Sequence, residues 1–232
     1  MTLAEQAICC TYSNGNGRSI RYCGLRADYI TREMVAGRFY EGRMLRWIHE
    51  HLPENMVFVD AGAHIGVHSL YFAIMCKAVR VYAFEPHPLT FQFLRANIAI
   101  NGARSVVARQ LALGSTLGRA HIVPCLSNDL GGSHIRSGKN GSVRVAPLDR
   151  LLPEMIDVLK IDVEGNSLAV LGGARGTLVR SKPDLFVECG EQDDHAAIGD
   201  LLASFGYVQV HCFNATPTYL YVYPGASRVN SK

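Results

Sequence analysis

VFVDAGAHIGVHSL, residues 57–70, joins an apolar, β-forming run to a helix-compatible one through a loop carrying Asp60, Gly62 and Gly66. A carboxylate at the tip of a buried strand needs hydrogen-bond partners or an accessible cleft, because burying it unpaired is costly. Glycines directly after it let the backbone turn sharply or approach another group closely. The stretch predicts either a tight strand-to-helix turn or a place where the backbone makes room for a ligand.

Outward from this stretch the pattern alternates. Residues 56–60, 79–84, 105–111, 157–161 and 184–188 read as strands, and 65–77, 88–101, 166–180 and 194–205 as helices. Most of the strands are continuous apolar runs, as expected for a parallel sheet covered on both faces. Upstream, residues 8–12 and 18–23 flank the turn-rich SNGNG and predict a hairpin. Met44, Leu45, Trp47, Ile48 and Leu52 share one helical face. Downstream, 207–213 and 218–223 predict an antiparallel pair. The expected fold is α/β: a doubly wound, mostly parallel sheet with an antiparallel C-terminal edge. Residues 1–52 form a hairpin-and-helix extension and 53–232 the sheet domain.

The chain has 232 residues, 48% of them hydrophobic and 19% charged, which is the composition of a globular protein. Its 23 basic and 20 acidic residues are intermixed. No basic block points to a nucleic-acid partner, and no stretch approaches the roughly 20 apolar residues of a membrane span. Oligomeric state is not legible. The seven cysteines are odd in number and irregular in spacing. They predict neither a disulfide framework nor a zinc site, and several read as buried free thiols. A cytoplasmic location is the resulting expectation.

In an open α/β sheet, ligands bind at the carboxyl ends of the strands, near the switch in strand order. Asp60 to Gly66 would lie there. The run VRVYAF ends on Glu85, followed by Pro86, and an acid at that second strand tip is placed to bind ribose hydroxyls. The loop reads D-A-G-A-H-I-G rather than G-x-G-x-x-G. Asp60 would oppose a pyrophosphate but welcome a sulfonium and an ammonium, which points to S-adenosylmethionine. A third strand, in LKIDVEGNSLAVLGGA (159–174), ends in Lys160, Asp162 and Glu164. Such an acid pair belongs in a cleft, although Glu164 could simply favour the positive end of the following helix.

VFVDAGAHIG, YAFEPHP, RVAPLDRLL and LKIDVEGNSLAVLGGA, in this order, resemble the FkbM family of S-adenosylmethionine-dependent methyltransferases over residues 40–190. The resemblance implies a class I Rossmann-like methyltransferase fold acting on a hydroxyl of a sugar or secondary metabolite. It implies a cofactor loop at Asp60, Gly62, His64 and Gly66, a ribose acid at Glu85 beside Pro86, and an acidic strand end at Asp162 and Glu164. The family often has Asn where this chain has His64, and an acid where it has Ser167.

A hydroxyl acceptor must lose a proton, so a base is expected: Asp162 or Glu164, with His134 a further candidate. His64 and His68 stand four apart but lack the pattern of a zinc helix, and no metal is called for. The rivals are a nicotinamide-dependent oxidoreductase on the same kind of sheet and a non-catalytic nucleotide-binding module. Residues 125–141, CLSNDLGGSHIRSGKNG, leave the alternation and predict a mobile lid or acceptor-binding loop over the strand ends.

Overall fold

The computed structural model describes residues 6–15, 17–124, 130–190 and 193–229. A hairpin, β1 (Ala7–Ser13) and β2 (Ser19–Leu25), precedes helices α1 (Tyr29–Val35) and α2 (Gly42–His51). The alternation then runs β3 (Val57–Ala61), α3 (Val67–Ile74), β4 (Arg80–Phe84), α4 (Pro88–Ile100) and β5 (Val106–Arg109). Four short strands follow: β6 (Ala112–Leu113), β7 (Gly118–Val123), β8 (His134–Ser137) and β9 (Val143–Ala146). After α5 (Leu148–Leu151) come β10 (Val158–Ile161), α6 (Ser167–Gly172), α7 (Arg175–Ser181) and β11 (Asp184–Glu188). The chain closes with α8 (His195–Ser204), β12 (Val208–Phe213) and β13 (Thr218–Val222).

The main sheet has seven strands in the order β12-β13-β11-β10-β3-β4-β5. β11, β10, β3, β4 and β5 are parallel, and the β12–β13 pair is an antiparallel edge. This is the class I Rossmann-like methyltransferase arrangement. The chain winds one way from β3 to β5 and the other way from β10 to β11, so the switch point lies between β3 and β10. Side-chain parity sorts the core into two layers. Phe58, Val158 and Phe186 pack with the hairpin, α2 and α3; Val59, Leu159, Leu185 and Val187 pack with α6, α7 and α8. Among the described residues no helix is long and apolar enough to cross a membrane.

Four expectations are corrected. Cys9 and Cys23 form a disulfide. They face each other across the hairpin, a register set by the turn rather than by cysteine spacing. The helix expected over 166–180 is two helices, broken at Gly173, whose Cβ would lie 2.0 Å from the Gly114 carbonyl oxygen. Helix α1 was not anticipated; Asp28 caps it, accepting from the Thr31 N–H at 2.8 Å. Part of the 125–141 excursion is strand: β8 pairs with β7, building a second sheet in the order β6-β9-β7-β8. Residues 125–129 of that excursion lie outside the described residues.

The hairpin is fastened to the sheet domain by Asn97 on α4. Its fully buried amide accepts from the Cys23 N–H at 2.8 Å and donates to the carbonyls of Cys23 and Ile65 at 2.9 and 2.8 Å. Asn97→Ala strands several buried polar groups at once and should destabilise the protein by about 2–4 kcal/mol. Urea unfolding of both proteins checks this; a loss below about 1 kcal/mol would show the amide to be dispensable.

Candidate active site

The question raised by Asp60 and the two glycines has a packing answer. Gly62 has φ +82°, and a Cβ there would lie 1.7 Å from the Asp162 carbonyl oxygen, so the loops after β3 and β10 touch only because Gly62 has no side chain. Gly66, φ +92°, opens α3 against Leu94. Asp60 is fully buried below the loop. It accepts from the Ser69 hydroxyl at 2.6 Å and lies 3.6 Å from the Lys160 ammonium.

Above these residues a cavity of about 280 Å³ opens at the strand tips. Of the site residues read from the sequence, Gly62, His64, Glu85, Pro86, His134, Asp162 and Glu164 line it. Asp60 and Gly66 are not on its wall; they support the loop from beneath. His64 and Glu164 both have positive φ, +50° and +49°, an uncommon backbone for residues with side chains, and both sit on the cavity wall.

Glu85 is held firmly. Its carboxylate accepts from the backbone N–H of His64 at 2.8 Å and of His87 at 2.7 Å, and from the Thr90 hydroxyl at 2.8 Å. Three of the roughly four lone-pair sites of a carboxylate are thereby used, which leaves acceptor capacity for a hydroxyl. Burial lowers the pKa of the neighbouring His87, although Glu85 opposes that shift.

Lys160, 2% exposed, donates to Asp162 at 2.9 Å while facing Asp60 from the neighbouring strand. Burial by itself would push its pKa down. The carboxylates of Asp162, Asp60 and Glu41 outweigh that and hold its pKa above the ordinary lysine range.

Three contributors escaped the sequence reading. Glu188 ends β11, and its carboxyl oxygens lie within 4.8 Å of those of Asp162 and Glu164. Burial first, then Asp162 and Glu41, push it up to about 9. Its signal was present: LFVE ends on an acid just as VFVD and VYAFE do. Tyr29 and Tyr40, from the N-terminal segment, complete the wall, edge to face with ring centres 6.4 Å apart. Burial first, then Asp162, Glu41, Glu188 and Glu164, raise the Tyr40 phenol, so it stays neutral.

Each of the two histidines has a carboxylate partner. His64 Nε2 lies 3.3 Å from Asp28, and His68 Nε2 lies 2.9 Å from Glu41. Both acids belong to the segment that carries Tyr29 and Tyr40. Leu111, Leu113, Ile122, Leu130 and Ile135 are among the apolar residues of the wall.

Comparison with known proteins shows the family to which the chain is similar. Residues 60–208 match the family described as "Methyltransferase FkbM domain". Methyltransferase sdnD of Sordaria araneosa is 32% identical over 186 residues, covering 64% of this chain and 69% of that protein. The 31-O-demethyl-FK506 methyltransferase FkbM of Streptomyces tacrolimicus is 37% identical over 83 residues, 35% of this chain and 30% of that one. Among solved structures, methyltransferase FkbM of Methylobacillus flagellatus superposes with a TM-score of 0.54 at 20% identity. That match covers 77% of this chain, which spans half the length of the solved one.

The raised Glu188 carboxyl has a consequence for stability. An unfolded glutamate loses its proton near its ordinary value of 4.5, whereas the native one keeps it to about 9. Between these values the native Glu188 binds more protons than the unfolded one, so its contribution to the unfolding free energy falls as pH rises. Urea unfolding followed from about pH 5 to about pH 9 should show that fall, and Glu188→Gln should flatten it. An identical slope in the variant would assign the titration to another group.

Proposed function

Because this chain belongs to the FkbM methyltransferase family, we propose that it transfers a methyl group from S-adenosylmethionine to a hydroxyl oxygen of a sugar or secondary metabolite. The observation that carries this reading is the convergence of Glu85 with Asp162, Glu164 and Glu188 in one cavity. A small-molecule acceptor suits a cavity of about 280 Å³.

The residues present fit the cofactor. Glu85 is pre-set by two backbone N–H groups and keeps acceptor capacity for a ribose hydroxyl. The acid-rich end suits a sulfonium, and Asp60 beneath the loop adds to that field. Gly62, His64, Pro86 and Asp162 line the cavity and would hold the nucleoside. When bound, the cofactor supplies an electrophilic methyl whose leaving group is a neutral thioether.

The protein's own part is positioning and proton management. Held at near-attack distance, an acceptor gains an entropic advantage of up to roughly 7–11 kcal/mol. Asp162, Glu164 and Glu188 are the carboxyl groups of the cavity from which a base for the hydroxyl proton can come, a contribution of about 10²–10⁴-fold. Asp162 is hydrogen-bonded by Lys160, which fixes its direction. His134, at the start of β8, faces the acids from the second sheet and serves as an acceptor contact or alternative base. Leu111, Leu113 and Ile122 keep water from the reacting groups.

Two experiments test the reading. Glu85→Gln keeps shape and removes charge; losing one charge-assisted hydrogen bond, worth about 1.5–3 kcal/mol, should weaken S-adenosylmethionine at least about tenfold. Calorimetry checks it, and an unchanged dissociation constant would remove Glu85 from the cofactor site. Asp162→Asn and Glu164→Gln should each bind the cofactor nearly as well as the parent protein. At least one should lose turnover on the acceptor found by mass-spectrometric screening of glycosides and metabolites. Full turnover in both would clear these two acids of the base role.

A further inference from the structure

Three carboxyl groups crowd one end of the cavity, with oxygens of Asp162, Glu164 and Glu188 within 4.8 Å of one another. Like charges this close do not all ionise unless a cation joins them; otherwise one of them keeps a proton. Lys160 does not fully meet the need, because its ammonium is already divided between Asp162 at 2.9 Å and Asp60 at 3.6 Å. The other groups bearing on Glu188 add no further positive charge. Glu41, paired with His68, repels it. Tyr40 stays a neutral phenol, and burial keeps the adjacent Cys189 a neutral thiol.

We propose that Glu188 is the proton acceptor of methyl transfer, protonated while Lys160 is the cation at this end of the cavity and ionised when the cofactor's sulfonium adds a second. The inference rests on the methyltransferase reading above and deepens it by assigning the base. Strand order supports the placement. Glu85 follows β4 and Glu188 ends β11, three strand positions away, roughly 14 Å at about 4.8 Å each. A nucleoside whose ribose bound Glu85 would lie at the switch point beside β3 and β10, on the side of the sheet order that leads to Glu188.

The charges balance through a turnover. Glu188 releases its proton to solvent as the sulfonium binds, and its carboxylate then faces the cation. As the acceptor oxygen bonds the methyl carbon and the carbon–sulfur bond breaks, Glu188 takes the proton that the hydroxyl gives up. The cation has by then become a neutral thioether, so the protonated carboxyl is again the stable form. Glu188 thus ends each cycle in the state it holds without the sulfonium.

S-adenosylmethionine and S-adenosylhomocysteine differ by this one methyl and its charge, which makes the test independent of the acceptor. Calorimetry of the full chain, treated with chelator, in two buffers of different ionisation heat counts the protons released on binding each of them. At a pH of about 7.5, between the ordinary carboxyl range and the raised one, S-adenosylmethionine should release close to one proton more than S-adenosylhomocysteine. Glu188→Gln should abolish the difference. Equal counts in the parent protein, or a difference that survives in the variant, would overturn the proposal. Should the variant fail to fold, infrared difference spectra of the parent protein decide. A protonated-carboxyl band must vanish with S-adenosylmethionine and persist with S-adenosylhomocysteine; any other pattern overturns the assignment. If neither compound binds, the methyltransferase reading itself fails, an outcome distinct from equal proton counts.

Discussion

The ammonium of Lys160, buried between Asp60 and Asp162, makes the acid-rich strand ends tolerable. Carboxylates removed from water need a compensating charge or hydrogen bonds, and breaking such a buried pair leaves an uncompensated ion at a cost of roughly 3–5 kcal/mol. Lys160 and Asp60 are register partners on adjacent parallel strands, so strand pairing itself brings the charges together. The sheet register and the electrostatics of the cavity are consequently one constraint. A slip by one residue would send Lys160 to the opposite, apolar layer.

Parity extends the same logic to the neighbouring strands. Asp60, Lys160, Asp162 and Glu188 occupy the positions that continue Phe58, Val158 and Phe186, the layer covered by the hairpin, α2 and α3. That layer supplies the groups answering the acids: Ser69 to Asp60, and His68 to Glu41. The opposite layer, built on Val59, Leu159 and Val187, is purely apolar at these strands. Chemistry is confined to one side of the sheet at its carboxyl edge, and the other side supplies cohesion.

The N-terminal segment is part of the site rather than an ornament on it. Asp28 and Glu41 bracket a segment that lends Tyr29, Ile30 and Tyr40 to the cavity wall. Their histidine partners, His64 and His68, come from the glycine loop and from the helix after it. Two carboxylate–histidine contacts thus join the loop and its helix to the segment that bears the aromatic wall. For Asp28, burial would raise the pKa, but the His64 and Thr31 bonds outweigh it and hold the carboxyl low, so the Asp28 side of the first contact stays charged.

The sequence by itself determined the alternation of apolar strands and amphipathic helices, the antiparallel edge and the acids at three strand tips. Those properties are local: side-chain period, turn residues and the break from apolar to acidic are written in consecutive positions. It also carried the parity that places Asp60, Asp162 and Glu188 on one side, although nothing in the order of residues singles out Glu188. Only the tertiary structure decided the rest. The Cys9–Cys23 bridge depends on hairpin register, the break at Gly173 on contact with Gly114, and β8 on pairing with β7. The partners of His64 and His68 lie 36 and 27 positions upstream in the chain, and no sequence spacing announces them. Whether an acid is a surface charge or a proton store likewise depends on which distant groups surround it, because burial and neighbouring charge are properties of packing, not of sequence order.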